Sequence, residues 1–320
     1  MRAVVYTQYG PPEVLHLREV ARPTPKDNEV LIRVHASTVT SGDWRLRKAE
    51  PVLIRGFAGL LRPKHQTLGN EVAGDVEAVG SLVTRFKPGD AIFGTGMFGA
   101  YAEYHALPED GMLMLKPPNL SYEQAAALPN GAFTALHFLR LGGVKSGQRV
   151  LIYGASGSVG TYAVQLAKHF GAEVAAVCGT RNVDLVRSLG ADRVIDYTRE
   201  DFTRDGVRYD IIFDTVGKTS FSRCRRSLTP QGRYVLSAFG PFEMAQMLWT
   251  SLRGGQKVIC SIVQEKSDDL ALIGGLAERG VLQPIIDRTY PLEEIVEAHR
   301  YVEAGHKTGN VAITIPDHRK

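Results

Sequence analysis

The chain has 320 residues, of which 44% are hydrophobic and 22% are charged, and its formal net charge is +4. This is the composition of an ordinary globular protein, and the length predicts two domains because a single core seldom grows so large. The small positive excess is spread among acidic residues, so the sequence has no basic patch of the kind that binds nucleic acid.

The cysteines and the N-terminus bear on the compartment. Cys178, Cys224 and Cys260 are widely separated, which predicts reduced thiols rather than a disulfide framework. The N-terminal segment alternates like a strand and lacks the apolar core of a signal peptide. No apolar run approaches the roughly 18 residues that a membrane helix needs. We therefore expect a cytoplasmic protein with neither a membrane nor a nucleic acid as partner.

The first 118 residues are predicted to be rich in β-structure. Short alternating segments are separated by Gly, Pro and Asp turns, at the spacing of a barrel or sandwich. These segments are 3–6, 30–35, 73–79 and 91–93. Ser121 and Gln124 then have the spacing of a capping box, which predicts the start of an Ala-rich helix.

From Arg149 onward, short apolar strands alternate with helices. The predicted strands are 149–154, 173–178, 193–196, 210–217, 233–238 and 257–263, and the first two are followed by helices at 158–170 and 183–189. Buried strands of this kind, interleaved with helices, indicate an α/β fold with a parallel sheet covered on both faces. The C-terminal part predicts a helix at 268–279, a strand at 284–290, a helix at 292–303 and a strand at 310–315.

The strongest local signal is the sequence YGASGSVG at 153–160, between a strand and a helix. Small residues there permit a tight turn, a close approach to a pyrophosphate and close packing of helix on sheet. The N–H groups that open the helix then face the phosphates. A dinucleotide site is predicted, and it is formed by Ala155, Ser156, Gly157, Ser158, Val159 and Gly160.

The residues that follow the predicted strand at 173–178 distinguish a site for NAD from a site for NADP. NAD binders place an acidic residue about twenty residues after the glycine loop, where this chain has Gly179, Thr180 and Arg181. Thr180 offers a hydroxyl, and Arg181 offers a guanidinium suited to a 2′-phosphate. We therefore predict NADPH as cofactor, although Arg181 is alternatively an exposed loop charge.

The order of these segments resembles the medium-chain dehydrogenase/reductase superfamily over nearly the whole chain. The motifs that carry the resemblance are LGNEVAGDVEAVG at 68–80, FKPGD at 86–90, TAL at 134–136, the glycine loop, DTVG at 214–217 and GNV at 309–311. The resemblance implies a Rossmann doubly wound domain at 121–260 that binds NADPH, and a β-rich GroES-like substrate domain at 1–120 and 261–320. It further implies that the cofactor contacts Asn130, Thr134, Tyr197, Val216, Ser237, Phe239 and Asn310, with core packing as the alternative role of Tyr197.

The zinc alcohol dehydrogenases of this superfamily hold their catalytic metal with two thiolates and a histidine. The corresponding positions here are Thr40, Asn70 and Asn130, and a hydroxyl with two neutral amides is a poor zinc site. The cysteine quartet of the structural zinc lobe is missing as well. The resemblance is therefore to the zinc-free branch that includes the quinone oxidoreductases and several enoyl reductases, and we expect no metal.

The segment ASTVTSGDWR at 36–45 resembles the substrate-side motif of that branch, in which Asp43 and Trp44 match and Thr40 replaces an Asn. We expect Thr40, Asp43 and Trp44 to form the catalytic side of the site. Asp43 with His65 is a candidate proton-delivery pair, whereas Glu71 is expected to be a structural carboxylate.

The leading hypothesis is NADPH-dependent hydride transfer to a quinone or a similarly conjugated carbonyl compound. Reduction of the double bond of an enone or enoyl thioester is a second hypothesis, and a cofactor-binding sensor or structural protein with little turnover is a third. The apolar strand at 257–263 is expected to lie at a sheet edge and to pair with its mate in a homodimer.

Overall fold

The computed structural model describes residues 1–316 of the chain. The strands are β1 (Arg2–Val5), β2 (His16–Glu19), β3 (Glu29–Thr38), β4 (Glu71–Val79), β5 (Ala91–Thr95), β6 (Tyr104–Pro108), β7 (Met112–Leu115), β8 (Arg149–Tyr153), β9 (Glu173–Cys178), β10 (Arg193–Asp196), β11 (Tyr209–Asp214), β12 (Leu228–Leu236), β13 (Lys257–Cys260), β14 (Ile286–Pro291) and β15 (Asn310–Thr314). The helices are α1 (Ser41–Lys48), α2 (Arg55–Ala58), α3 (Tyr122–Ala126), α4 (Pro129–Gly142), α5 (Ser158–His169), α6 (Val183–Ser188), α7 (Phe221–Cys224), α8 (Pro241–Ser251), α9 (Ser267–Glu278) and α10 (Ile295–Glu303).

The chain divides into two compact units. The first comprises residues 1–130, 266–279 and 284–320, and the second comprises 131–265 and 280–283. Since α4 begins at Pro129, its first turn lies where one unit ends and the other begins.

The first unit is built on β-structure, as the alternating N-terminal segments predict. Its main sheet has the order β14-β15-β3-β4-β5-β7, with β6 also paired to β3, and every pairing except β14 with β15 is antiparallel. The alternate residues Val30, Ile32 and Val34 of β3 are buried in one apolar core. One buried and one wetter face is the usual state of an antiparallel sheet. This confirms the predicted β-rich domain.

The second unit contains a six-stranded sheet whose strands are all parallel. Its order is β10-β9-β8-β11-β12-β13, which in chain order reads 3-2-1-4-5-6, the order of the doubly wound dinucleotide-binding fold. The central strands are continuous apolar runs because helices cover both faces of such a sheet. The predicted α/β architecture is confirmed.

The sheet edge at β13 is shorter than the sequence predicts. The apolar run at 257–263 forms a strand only as far as Cys260. Its neighbour β12 ends at Leu236, which pairs with Cys260, so residues 261–263 have no partner strand within the sheet. A run of apolar residues marks where a strand is possible, but the neighbouring strand decides where the ladder ends.

All three cysteines are free and buried. Burial raises the pKa of Cys178 and of Cys224 to about 11, so neither is a reactive thiolate at neutral pH. Among the helices of residues 1–316, none combines the length and the hydropathy needed to cross a bilayer.

Candidate functional site

The glycine loop joins the carboxyl end of β8 to α5. The N–H groups of Gly154 and Ala155 both donate to the carbonyl of Val177, at 3.1 and 3.0 Å, which holds the loop against β9. Gly154 has φ +83°, a conformation that side chains rarely adopt, and a Cβ on Gly160 would lie 2.1 Å from the carbonyl oxygen of Gly154. Both positions require glycine, so the loop is a cradle that additional side-chain atoms would fill.

The first turn of α5 follows this loop directly. Its N-cap residue is Gly157, and no side chain caps the helix. A helix with twelve residues and an uncapped N-terminus presents N–H groups and the positive end of its dipole, a combination that favours phosphate. A Cβ on Gly131 would lie 2.6 Å from Ser158 Oγ, so glycine also lets α4 approach the start of α5. Thr134 lies on α4 one turn beyond Asn130.

A carboxylate at the end of β10, that of Asp196, lies against the turn that follows β9. The last residues of β9 and β10, Cys178 and Asp196, are register partners. As a result Thr180 Oγ1 donates to Asp196 Oδ2 at 2.6 Å, and Thr198 Oγ1 donates to Asp196 Oδ1 at 2.8 Å. The hydrogen bond from Thr180 lowers the pKa of the Asp196 carboxyl, so Asp196 is ionised at neutral pH.

Tyr197 lies beside the same turn. A Cβ on Gly179 would lie 3.4 Å from the Tyr197 hydroxyl, so the ring and the turn are neighbours. Tyr197 is 60% exposed, which fits a wall of an open site and not core packing. Arg181 lies in the short 3-10 helix Thr180–Asn182 that follows Gly179 and is exposed. The structure therefore brings Thr180, Arg181 and Tyr197 to one side of the sheet edge.

The loop after β11 is organised by the buried Asp214. Its Oδ1 accepts the N–H groups of Val216 and Gly217 at 3.0 and 2.8 Å, and its Oδ2 accepts the Tyr234 hydroxyl at 3.2 Å. This turn leaves Val216 at the rim, also at the carboxyl end of the sheet. Ser237 follows β12 next to it, its N–H donating to the Asp214 carbonyl at 3.2 Å. Phe239 packs against the core of this unit.

Thr40 and Asp43 form a capping box at the start of α1. Thr40 donates to Asp43 Oδ2 from its N–H at 2.8 Å and from its hydroxyl at 2.6 Å, and the Asp43 N–H donates back to Thr40 Oγ1 at 3.3 Å. Gly69 N–H donates to the other carboxylate oxygen at 3.2 Å. Burial raises the pKa of Asp43. The Asp43 carboxylate thus orients α1 and the chain at Gly69. The Thr40 hydroxyl both donates a hydrogen bond to Asp43 and accepts one from it.

Trp44 and His65, the other residues predicted on the substrate side, pack against aromatic or apolar neighbours. Trp44 is half-buried and packs against the core of the first unit, with Arg45 at 5.4 Å from its ring centroid. His65 is exposed and stacks on Phe98, with ring centroids 4.4 Å apart. The hydrogen bonds of Asp43 go to Thr40 and Gly69, so the structure does not join His65 to Asp43 as a proton-delivery pair.

Glu71 is fully buried at the start of β4. It accepts a hydrogen bond from the hydroxyl of Thr38 and, at Oε1, one of 2.7 Å from the N–H of Asn130. Burial raises its pKa to about 7. Glu71 therefore fixes the start of α4, and with it the position of Asn130.

Lys307 is a charged neighbour of Glu71 that the sequence analysis misses. Its Nζ donates to the Gly309 carbonyl at 2.5 Å, and burial lowers its pKa to about 8, partly offset by the charges of Glu71 and Asp287. No local sequence pattern predicts that Lys307 is buried, because Glu71, whose charge it faces, is distant in sequence. Asn310, at the start of β15, donates from Nδ2 to the Ile285 carbonyl at 3.1 Å, which anchors the strand.

The three positions that hold zinc in the metal-dependent dehydrogenases do not form a comparable donor set here. The Thr40 hydroxyl is committed to the cap of α1, so binding a metal through it would break that cap. Asn70 offers an amide whose buried Oδ1 has no partner, which suits a hydrogen bond better than Zn²⁺. Residues 1–316 contain no cluster of three His, Cys, Asp or Glu side chains with the geometry to hold a metal ion.

Two family models match the chain. Residues 26–118 match the alcohol dehydrogenase GroES-like domain, and residues 189–313 match the family described as zinc-binding dehydrogenase. The first match covers about half of the β-rich unit, and the second begins in the parallel-sheet unit and continues into the C-terminal strands.

Individual proteins match over nearly the full length. A chloroplastic quinone-oxidoreductase homolog of Spinacia oleracea is 34% identical, with 98% of each chain covered. An NADPH-dependent alkenal/one oxidoreductase of Arabidopsis thaliana is 32% identical and covers 98% of this chain and 79% of its own. The solved structure of a quinone oxidoreductase from Coxiella burnetii superposes with a TM-score of 0.87 at 30% identity, over 99% of both chains.

Proposed function

This chain belongs to the medium-chain dehydrogenase/reductase family, among its quinone oxidoreductases, and we propose that it uses NADPH, without zinc, to reduce a quinone or a similar conjugated carbonyl compound. It is an oxidoreductase of that family. The observation that carries the proposal is the state of the metal position. The Thr40 hydroxyl is held in the cap of α1, and the unpartnered atom of Asn70 is its buried carbonyl oxygen Oδ1, which accepts hydrogen bonds.

The second unit supports binding of the dinucleotide. The cradle of Gly154 and Gly160 admits a pyrophosphate at the uncapped start of α5, and the turn at Thr180 and Arg181 lies at the end of the next strand. When bound, NADPH supplies the hydride. Arg181 holds the 2′-phosphate and Tyr197 lines the adenosine end. Val216, Ser237 and Phe239 border the same sheet edge.

The kind of carbonyl compound that the site can reduce follows from how few hydrogen-bond donors the metal position offers. A simple aldehyde develops concentrated alkoxide charge as it is reduced, and this charge needs a metal or several preorganised donors. A quinone spreads the charge over its ring, so it depends less on preorganised donors; water supplies the protons that complete the hydroquinone, and the unpartnered Oδ1 of Asn70 accepts a hydrogen bond from that water. Asp43 and Glu71 act by holding α1, Gly69 and Asn130 in place.

Reduction of an activated carbon–carbon double bond is the second candidate. The alkenal/one oxidoreductase among the relatives favours it, as does a 2-methylene-furan-3-one reductase of Solanum lycopersicum at 34% identity. This chemistry needs a proton donor on the face opposite the hydride. A screen of NADPH oxidation with quinones, enones and enoyl thioesters, followed by identification of the reduced bond, separates the two activities. Cytoplasmic location and the homodimer remain predictions.

A further inference from the structure

A cavity of about 520 Å³ opens in the parallel-sheet unit. It is bordered by residues before and at the start of β12 and by Gly254, Gly255 and Gln256, which precede β13, so it lies at the amino ends of the strands. The glycine loop lies at the carboxyl ends. Since β11 has six residues at about 3.3 Å each, the two ends of the sheet are about 20 Å apart. The cavity is therefore separate from the cofactor loop.

Three arginines line this cavity and no acidic residue does. They are Arg225, Arg226 and Arg253, and within residues 1–316 none of them takes part in an ion pair. All three side chains are exposed, so solvent screens their mutual repulsion, but three like charges that border one concave surface still make it positive. Such a surface attracts an anion.

The wall of the cavity is fixed by its own contacts. Arg253 lies over the ring of Trp249, 4.3 Å from the centroid. Gln256 Nε2 donates to the carbonyls of Arg225, Leu228 and Thr229 at 2.9, 3.2 and 3.1 Å, which ties the approach to β13 to the approach to β12. A fixed wall reduces the entropy that is lost when a ligand binds.

We propose that this cavity is a second ligand site, which binds a small molecule through a di- or triphosphate group. A guanidinium donates two parallel N–H groups to a phosphate, and three of them match the charge of an oligophosphate. The volume is within the usual range for small-molecule sites. This inference goes beyond the reductase activity and does not depend on it.

Trp249 provides the signal for a direct test. The chain has two tryptophans, so Trp44→Phe leaves Trp249 as the single emitter. We expect inorganic tripolyphosphate to change its emission saturably, with the same dissociation constant by isothermal titration calorimetry. Arg226→Glu and Arg253→Glu should each weaken binding by roughly tenfold or more in calorimetry, since each removes a charge-assisted contact. The matched control, Arg204→Glu, changes an exposed arginine of the same unit that does not line the cavity.

Three further titrations define the site. Saturating NADP⁺ should leave the binding of tripolyphosphate unchanged. If guanosine triphosphate binds more tightly than tripolyphosphate, the ligand is a nucleotide. If the two bind equally well, the ligand is a free oligophosphate. Citrate should bind at least tenfold more weakly. The proposal is overturned if tripolyphosphate does not bind, if NADP⁺ displaces it, if citrate binds as well, or if the two arginine variants bind as the wild type does. NADPH oxidation is measured separately, so failure of the reductase assay is distinguishable from failure of this site.

Discussion

Thr180 and Asp196 are joined by a hydrogen bond of 2.6 Å from the threonine hydroxyl to the carboxylate, at the turn where we expect the 2′-phosphate of the cofactor. The ionised Asp196 lies on the neighbouring strand and not at the end of β9, where an NAD-binding carboxylate is found. Its oxygens accept hydrogen bonds from the hydroxyls of Thr180 and Thr198, so it shapes the turn. Its negative charge opposes a phosphate, so Arg181 has to supply the attraction.

The choice of cofactor is tested at Arg181. Arg181→Ala should weaken NADPH binding by roughly ten- to a hundredfold, about 1.5–3 kcal/mol, because a charge-assisted contact to the phosphate is lost, and it should leave NADH binding unchanged. Arg187→Ala is the matched control, since Arg187 is also exposed and is paired with Asp184 on α6. The measurement is a fluorescence titration with each nucleotide. Equal affinities of the wild type for NADPH and NADH, unaltered in the Arg181 variant, would show that the assignment is wrong.

Glu71 gives stability a defined pH dependence. Burial raises the pKa of Glu71 from its ordinary value of 4.5 to about 7 in the folded state, so the folded state binds the proton more tightly than the unfolded chain does. The free energy of unfolding should therefore fall as pH rises from about 4.5 to 7, by up to about 3 kcal/mol from this group. Glu71→Gln keeps one oxygen to accept the Asn130 N–H, and its Nε2 can donate to the Thr38 hydroxyl as a protonated carboxyl does. The side chain cannot ionise, so the substitution should flatten this decline.

Urea unfolding of both proteins at pH 5 and pH 7.5 measures this effect. The difference in unfolding free energy between the two pH values should be smaller in Glu71→Gln than in the wild type. The same difference in both proteins would mean that Glu71 is ionised with an ordinary pKa in the folded state.

Much of this site follows from local sequence. The glycine loop could be predicted because Gly154 and Gly160 have steric requirements that only glycine meets, and these show directly in the residue pattern. Capping also shows at short range, since Ser121 and Gln124 form the predicted capping box. These features depend on residues a few positions apart, so periodicity and turn chemistry determine them.

The parts that the sequence analysis misses depend on distant residues. Asp196 reaches Thr180 only because β9 and β10 end together, and Lys307 comes close to Glu71 across more than two hundred residues. Asp43 illustrates the converse. The motif at 36–45 predicts a substrate-side role for Asp43, whereas in the structure its carboxylate accepts hydrogen bonds from Thr40 and Gly69.

Metal content is a simple further test. We expect the purified protein to contain much less than one zinc per chain and to keep its activity after treatment with a chelator, because Thr40, Asn70 and Asn130 offer no thiolate or imidazole. Elemental analysis on protein purified without a histidine tag gives the content. Stoichiometric zinc, together with activity that is lost on its removal and restored by its return, would contradict this prediction.

The free edge of β13 predicts a homodimer. The adjoining Ile262 is 81% exposed, and several exposed apolar side chains of α8, which packs beside β13, lie nearby. We expect a dimer at micromolar concentration by analytical ultracentrifugation, and Ile262→Glu should shift it toward monomer because it would place a charge in an apolar interface. Leu82→Glu, at a residue 67% exposed in the other unit, is the control and should remain dimeric. A monomeric wild type would refute the prediction.

The central claim is that this chain reduces conjugated carbonyl compounds with NADPH and without a metal. The most direct measurement compares steady-state kcat/KM of chelator-treated protein, at saturating NADPH, for 9,10-phenanthrenequinone, a benzoquinone, an enone and a primary aldehyde. Without a metal, the held hydroxyl of Thr40 and the acceptor Oδ1 of Asn70 give little support to a localised alkoxide, so we expect at least a hundredfold preference for the quinones over the aldehyde. An aldehyde that is reduced as fast as the quinones would contradict the account.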